Sequence, residues 1–295
     1  MNQNLLKTPM NKEDGIRLAA PEEGYFNVID YRFRKNNTPK PIIVFLHGFK
    51  GFKDWGHFNV MADAFANAGF VFVKVNVSHN GTSPDAPTTF VDLDAFGNNT
   101  LSMEQRDFRA TIDWLFSGKC SIPKGEMDLS QLFILGHSRG GGGVINYACA
   151  DERVKGTCAM APVHSYDSKW SEEGKKAWQQ QGVIYVYNGR TKQNMPLSYD
   201  TVLDYYANID QLEVLKSAKN CPSPILIIHG DADETLAVEH LEDFKFNNPL
   251  SKKMIIEGAN HVFGGKHPYE GNTLPEHTEL LKNYATQFFM AIAEK

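Results

Sequence analysis

The chain has 295 residues, of which 42% are hydrophobic and 22% charged. This balance supports a substantial buried core and excludes an intrinsically disordered chain. The 30 Lys and Arg against 35 Asp and Glu give a net charge of −5. Because no basic run stands out that could follow a phosphate backbone, we expect no nucleic-acid partner.

Cysteine usage and hydropathy bear on the compartment. The four cysteines lie far apart without CxxC spacing, so buried free thiols are expected rather than a zinc site or a disulfide framework. The first residues lack the apolar run of a secretory signal, and no later stretch reaches the ~18 consecutive apolar residues of a membrane span. The sequence therefore predicts a cytoplasmic protein without a membrane partner.

The first half of the chain alternates strand and helix patterns. Residues 1–21 show neither pattern and are expected to form a loose N-terminal arm before a single domain over 22–295. Residues 41–47 and 70–77 are apolar, β-branched runs typical of strands buried on both faces. Apolar residues at helical spacing lie between them, and a strand, helix and strand in this order imply parallel strands.

The alternation continues to the end of the chain. Helix patterns at 108–116 and 144–149 flank a strand at 131–135, and short strands follow at 154–160, 224–228 and 253–256. A last helix carries four apolar residues on one face, namely Leu281, Tyr284, Phe288 and Ile292. At least six strands interleaved with helices predict a doubly wound, mostly parallel α/β sheet.

One stretch, at about 163–220, breaks this rhythm. It holds Trp170, Trp178, a cluster of tyrosines and an Asn188-Gly189 pair between two β-prone arms. Asn-Gly favours a two-residue type I′ hairpin turn, because that turn needs positive φ at both central positions. We expect a small inserted cap built around a β-hairpin. Its aromatic side chains are expected mainly to form a core of the cap itself, and a substrate pocket is the second possibility.

A nucleophile is indicated directly after the 131–135 strand. There the sequence reads Gly136-His137-Ser138-Arg139-Gly140 and continues into a helix pattern. A serine hydroxyl becomes an effective nucleophile when it is exposed at a tight turn beside a general base, and flanking glycines permit such a turn. Ser138 is the candidate nucleophile.

The acid and the base that a serine nucleophile needs follow the later strands. The 224–228 strand runs into a segment with Asp231 and Asp233, and the next strand runs towards His261. The spacing alone leaves both aspartates open as the acid. The remaining histidines, His164 and His240 among them, show no paired ligand spacing, so we expect neither a metal site nor a cofactor.

Acyl transfer also needs backbone N–H donors for the oxyanion. His47-Gly48-Phe49 follows the first buried strand. In a strand, elbow and helix arrangement of this type, one donor is the N–H after the nucleophile, here Arg139, and the other lies in this loop, most plausibly Phe49. The turn at 76–83 lacks an acid. We expect it to have a mainly structural role, with substrate contact as the second possibility.

Taken together, His-Gly-Phe, Gly-His-Ser-Arg-Gly, His-Gly-Asp-Ala-Asp and Gly-Ala-Asn-His resemble the α/β-hydrolase superfamily over about residues 22–293. Within it, the chain is most similar to small bacterial carboxylesterases, including feruloyl and cinnamoyl esterases. The resemblance implies a compact lid in the place of the 163–220 stretch, esters with modest acyl groups as substrates, and Asp233 as the acid. Dienelactone hydrolases look similar in size and topology, but their nucleophile is a cysteine.

The leading hypothesis is therefore a carboxylesterase with Ser138, His261 and Asp233 as its triad and a small-molecule ester as its substrate. A serine peptidase or acyltransferase would use the same triad with a different leaving group or acceptor. A protein that kept the fold only for binding would be expected to lack at least one triad element. The natural ester, the oligomeric state and any movement of the cap are left open by the sequence.

Overall fold

The computed structural model describes residues 5–294, and its centre is a mixed sheet of eight strands in the order β1-β2-β4-β3-β5-β6-β9-β10. The first two pairings, β1 with β2 and β2 with β4, are antiparallel, and all later ones are parallel. Strands β7 and β8 form a separate antiparallel hairpin. The strands are β1 (Met10–Ala19), β2 (Phe26–Arg34), β3 (Lys40–Leu46), β4 (Val71–Asn76), β5 (Met127–His137), β6 (Val154–Met160), β7 (Val183–Asn188), β8 (Gln193–Ser198), β9 (Ile225–Gly230) and β10 (Lys252–Ile256).

Helices cover both faces of this sheet. They are α1 (Phe58–Asn67), α2 (Leu93–Asn98), α3 (Leu101–Phe116), α4 (Arg139–Ala150), α5 (Glu172–Gln181), α6 (Asp200–Ala207), α7 (Ile209–Leu212), α8 (Val214–Asn220) and α9 (Glu276–Ala293). Alternate residues of β3 point to opposite faces: Ile42 and Val44 pack with α3, α4 and α8, whereas Ile43 and Phe45 pack with α1 and α9. The predicted doubly wound, mostly parallel sheet is confirmed, because five of its seven strand pairings are parallel and helices cover both faces.

The N-terminal part of the sheet was not foreseen. The loose arm expected for residues 1–21 is wrong over Met10–Ala19, which pair with β2 as an edge strand; residues 1–4 lie outside the described part of the chain. The strand escapes recognition because its residues are mostly polar and partly exposed, and because a bulge at Gly15 interrupts its register. Its stability comes from ladder hydrogen bonds and from the Gly15 N–H, which donates to the Asp30 carboxylate at 2.8 Å.

A buried group of charges joins β2, β4 and the loop after β3. Lys53 Nζ donates to Asp30 Oδ2 at 2.6 Å, Lys74 Nζ lies 3.2 Å from the same oxygen, and Asp54 pairs with both lysines. Burial alone would raise the pKa of Asp54, but the two ammonium groups lower it to about 2. Removing one partner of a buried ion pair typically costs about 3–5 kcal/mol, since the other charge stays buried. The loop after β3 is therefore fixed firmly to the sheet.

The hairpin predicted around Asn188 is present, but its turn is different from the prediction. Asn188 pairs with Gln193, which leaves a four-residue connection instead of a two-residue type I′ turn. The positive φ, 55°, is at Lys192. The Asn188 side chain accepts the Arg190 N–H at 3.2 Å, so it is used to start a longer turn from within the strand.

The segment between β6 and β9 packs onto the rest of the chain through aromatic contacts. Met195 of β8 joins a buried cluster with Phe52, Phe90 and Phe96. At the tip of the hairpin, the Arg190 guanidinium lies 5.3 Å from the centre of the Phe52 ring. The hairpin thus rests on the loop after β3 and on α2.

The segment also has a small core of its own. The rings of Trp170 and Trp178 meet edge to face at 5.8 Å, and Tyr205 packs against Trp170 at 5.7 Å. Tyr185 and Tyr187 of β7, in contrast, are exposed. The aromatic cluster noted in the sequence is therefore divided between this core and the surface. Across residues 5–294 no helix combines the length and the apolar character needed to cross a membrane.

A testable consequence concerns Asp107 of α3, whose carboxylate accepts the Ser78 N–H at 2.8 Å and the Ser78 hydroxyl at 2.7 Å. Burial raises the pKa of Asp107 to about 6, although the hydrogen bonds from Ser78 oppose the rise. As pH falls, Asp107 takes up a proton at a higher pH in the folded protein than in the unfolded chain, where the pKa of aspartate is about 3.9. The stability of the wild type should therefore fall as pH rises from about 4 to about 6.

In Asp107→Asn this pH dependence is absent. The stability difference between wild type and variant should shift in favour of the wild type by about 2–3 kcal/mol when pH is lowered from 7 to 4. Urea unfolding at several pH values measures it, with Asp94→Asn, an exposed aspartate of α2, as the matched control. A difference that stays constant with pH would contradict the perturbed pKa.

Candidate active site

The sheet brings the predicted site residues to one edge. Strands β5, β6, β9 and β10 are consecutive parallel neighbours, so their carboxyl ends lie side by side. Ser138 directly follows β5, Asp233 lies three residues after β9, and His261 lies five residues after β10. Ligands of open α/β sheets bind at this edge as a rule.

Ser138 occupies a strained turn between β5 and α4. Its φ is 57° and its ψ is −118°, a backbone conformation that L-residues with side chains rarely adopt. The neighbouring glycines are required by space: a Cβ at Gly136 would lie 2.7 Å from Val144 Cγ2, and one at Gly140 would overlap the carbonyl oxygens of Leu46 and His47. The turn can therefore close tightly and leave the Ser138 hydroxyl at its outer side.

His261 connects the serine with an aspartate. Its Nε2 lies 3.0 Å from Ser138 Oγ, and its Nδ1 lies 2.8 Å from Asp233 Oδ2. A neutral imidazole has one donor and one acceptor nitrogen. With the proton on Nδ1, the ring donates to Asp233 and its Nε2 is left to accept the proton of the serine.

Asp233, not Asp231, is the aspartate in contact with His261. The Asp233 side chain is fully buried and its Oδ1 accepts the N–H groups of Thr235 and Leu236 at 2.8 and 2.9 Å. Burial by itself raises the pKa of Asp233, but the hydrogen bonds from His261 and these N–H groups outweigh it and hold the pKa below its ordinary value. Asp231 instead accepts the Gly258 N–H at 2.6 Å.

The two residues predicted to donate to an oxyanion lie on either side of this turn. Arg139 is the first residue of α4, so its N–H has no acceptor within the helix. The loop with Phe49 passes beside the serine, since a Cβ at Gly48 would lie 3.1 Å from Ser138 Cβ. The Arg139 guanidinium lies 5.3 Å from the Phe49 ring centre and 3.1 Å from a Glu104 oxygen.

Polar residues after β3 and β4 hold this loop in place. The Lys53 N–H donates to Asn76 Oδ1 at 2.6 Å, and the Asn80 amide lies 3.4 Å from His47 Nε2. These contacts agree with a structural role for the turn at 76–83. Sequence reasoning did not assign them, although Asn76, like Lys74, stands out as a polar residue in an otherwise apolar strand.

His137 is a second residue whose contact the sequence did not reveal. Its Nε2–H donates to the backbone carbonyl of His261 at 2.8 Å, and the centres of the two rings are 4.9 Å apart. Burial lowers the pKa of His137 to about 3, so the ring stays neutral at physiological pH. The side chain next to the nucleophile thus ties the β5 turn to the loop that carries His261.

The residue spacing, which shows no paired ligands among the other histidines, does not reveal that His164 and His240 lie together. Their rings stack with centres 3.9 Å apart, and His240 Nδ1 lies 3.5 Å from Asp243 Oδ2. The pairing was hidden because the two histidines are 76 residues apart and follow different strands.

Gly140→Ala tests the tight approach of the β5 turn to β3. The added methyl group would collide with the Leu46 and His47 carbonyls. These cannot move without disturbing the pairing of β3 with β4 and β5. We expect a loss of about 3 kcal/mol in the free energy of unfolding. Denaturant titration measures it, with Gly125→Ala as the control because a Cβ there meets nothing within 4 Å. Equal stabilities of the two variants would contradict the argument.

Comparisons with known proteins identify the fold family. A family model described as alpha/beta hydrolase fold matches residues 41–191, about half of the chain. Cutinase est1 of Thermobifida alba is 24% identical over 158 residues, which are 52% of this chain and 45% of that protein. The chain thus spans about half the length of the curated relatives it matches.

Solved structures match over nearly the whole chain. Est1E of Butyrivibrio proteoclasticus, solved with ferulic acid bound, superimposes with a TM-score of 0.67 at 18% identity over 95% of this chain and 100% of that one. PA2218 of Pseudomonas aeruginosa gives a TM-score of 0.69 at 16% identity over 97% and 94%. On the fold, the site geometry and the family match, the chain belongs to the α/β-hydrolase fold family.

Proposed function

We propose that this protein is a serine hydrolase that cleaves carboxylic esters through an acyl-enzyme. One observation carries the proposal: the continuous contact from Ser138 Oγ through His261 to the buried Asp233 carboxylate, at 3.0 and 2.8 Å. Such a chain at a strained strand-to-helix turn supplies a nucleophile, a base and an orienting acid at once.

In the first half-reaction, Ser138 Oγ attacks the ester carbonyl carbon while His261 Nε2 takes the hydroxyl proton. The negative charge that forms on the carbonyl oxygen is stabilised by the N–H groups of Phe49 and Arg139. As the tetrahedral intermediate collapses, the bond to the alkoxy oxygen breaks and His261 returns the proton to the leaving alcohol. Asp233 holds the imidazole in its tautomer and stabilises the imidazolium.

In the second half-reaction, His261 takes a proton from water as the water oxygen attacks the acyl carbon. The acid is released and the proton returns to Ser138. Every proton passes through His261, so the mechanism requires no cofactor. We infer that the segment at about 163–220 acts as a cap over this site, because its hairpin tip contacts the loop that carries Phe49: the Arg190 guanidinium donates to the Lys50 carbonyl at 3.3 Å.

The names of the relatives guide the choice of substrate. Several curated matches are cutinases, and one structural neighbour was solved with ferulic acid. We therefore propose esters with modest acyl groups as substrates. A peptidase or an acyltransferase with the same triad stays an alternative that substrate profiling separates. The cytoplasmic location stays a prediction.

The first test is hydrolysis of p-nitrophenyl acetate and butyrate by the purified protein. Ser138→Ala should lower kcat by roughly 10⁴-fold or more, since loss of a triad member removes nucleophilic catalysis. Ser130→Ala, which replaces an exposed serine at the outer part of β5, is the matched control and should keep full activity. Cleavage of aminoacyl p-nitroanilides faster than of esters would identify a peptidase instead, and unchanged activity of Ser138→Ala would disprove the proposal.

A second test separates the two aspartates. Asp233→Asn should lower kcat by about 10³–10⁴-fold, because the amide cannot hold His261 in the required tautomer. Asp231→Asn removes the charge but keeps an Oδ1 that can accept the Gly258 N–H, so it should change kcat by less than about tenfold. Steady-state kinetics on one p-nitrophenyl ester gives both values. A larger loss in Asp231→Asn would assign the acid to Asp231.

A further inference from the structure

After strands β6 and β9, at the carboxyl edge of the sheet, lies a cluster of three side chains of the kinds that bind metals, His164, His240 and Asp243. Among the described residues, their ligand atoms all lie within 4.8 Å of one another. His164 comes four residues after β6, whereas His240 and Asp243 belong to the short 3₁₀ helix Val238–Asp243 after β9. Strands β6 and β9 are parallel neighbours, so the sheet itself brings these two segments together.

The charge and exposure of the cluster suit a cation. His164 and His240 are partly buried and Asp243 is exposed, so an ion can reach the site from solvent. The acidic groups that act on His164 are Asp243 and Asp167.

The geometry is close to that of a bound site. Ligand atoms of a tetrahedral zinc ion, at about 2.0–2.1 Å from the metal, lie roughly 3.3 Å from one another. His240 Nδ1 and Asp243 Oδ2 are already 3.5 Å apart. The ligand nitrogen of His164 lies within 4.8 Å of the other two ligand atoms, so it has to approach them by at most about 1.5 Å, which a side-chain rotation provides.

We propose that His164, His240 and Asp243 bind one divalent ion of the zinc class, with water at the fourth position. Two imidazoles and one carboxylate are a donor set that suits Zn²⁺ rather than Ca²⁺ or Mg²⁺, which prefer oxygen ligands only. The ion joins the start of the segment between β6 and β9 to the loop that carries Asp233. A protein contact already links the same two segments, since Lys169 Nζ donates to the Thr235 carbonyl at 3.4 Å.

The effect of the ion is on stability, because a metal that binds only the folded chain stabilises it by mass action. Untagged full-length protein is freed of metal with EDTA and titrated with ZnCl₂ by calorimetry. We expect one equivalent to bind in the micromolar range or tighter. At a hundredfold excess over Kd, the melting midpoint should rise by on the order of 5 °C. CoCl₂ should give the visible absorption of a tetrahedral ion.

Variants decide whether these residues are the ligands. His164→Ala and His240→Ala should weaken Zn²⁺ binding by about 100-fold or more and abolish the shift in melting midpoint. His240→Gln is measured beside His240→Ala, so a folding defect of the truncated variant does not decide the result. His277→Ala, which replaces a partly exposed histidine on α9, is the matched control and should bind zinc as the wild type does.

The proposal is overturned if zinc leaves the wild-type melting midpoint unchanged, or if the His164 and His240 variants bind zinc as tightly as the wild type. The measurement involves no ester hydrolysis. Its outcome is therefore independent of the catalytic function proposed for Ser138.

Discussion

The packing of the Gly140 backbone against the Leu46 and His47 carbonyls is the contact on which the rest of the site depends. Only a residue without a Cβ allows α4 to start so close to the end of β3. This closeness puts the Ser138 turn next to the loop with Phe49. The positive φ of Ser138 is the local strain that the surrounding sheet and helix compensate.

Around that contact, the loop after β3 is restrained from two sides. On the inner side, Lys53 is bound to Asp30 and Asp54 in the buried charge group. On the outer side, the hairpin tip reaches it through Arg190. A loop that offers a backbone donor gains from such restraint, because electrostatic stabilisation needs donors that do not reorganise during the reaction. With the oxyanion role proposed for Phe49, the costly burial of two lysines and two carboxylates would serve the site as well as the sheet.

The sequence predicted those parts of the molecule that short-range patterns encode. Apolar runs and the alternation of strand and helix patterns identified the six parallel strands, and the glycines around Ser138 identified its turn, because both depend on neighbours in the chain. The edge strand over Met10–Ala19 was missed because its pairing with β2, rather than its own polar sequence, makes it a strand. The hairpin turn was mispredicted for a related reason: the Asn188 side chain starts a four-residue turn from within β7.

Contacts between different strand ends were beyond such patterns. The link from His137 to the His261 carbonyl and the stacking of His164 on His240 each join residues that follow different strands. In a parallel sheet every carboxyl end reaches the same edge, so polar residues distant in sequence are gathered there by topology alone. The contacts among Ser138, His261 and Asp233 and the His164 cluster thus have one origin. The contacts of a histidine after a strand depend on which strand lies beside that strand. The sheet order shows this neighbour, whereas the residue spacing does not.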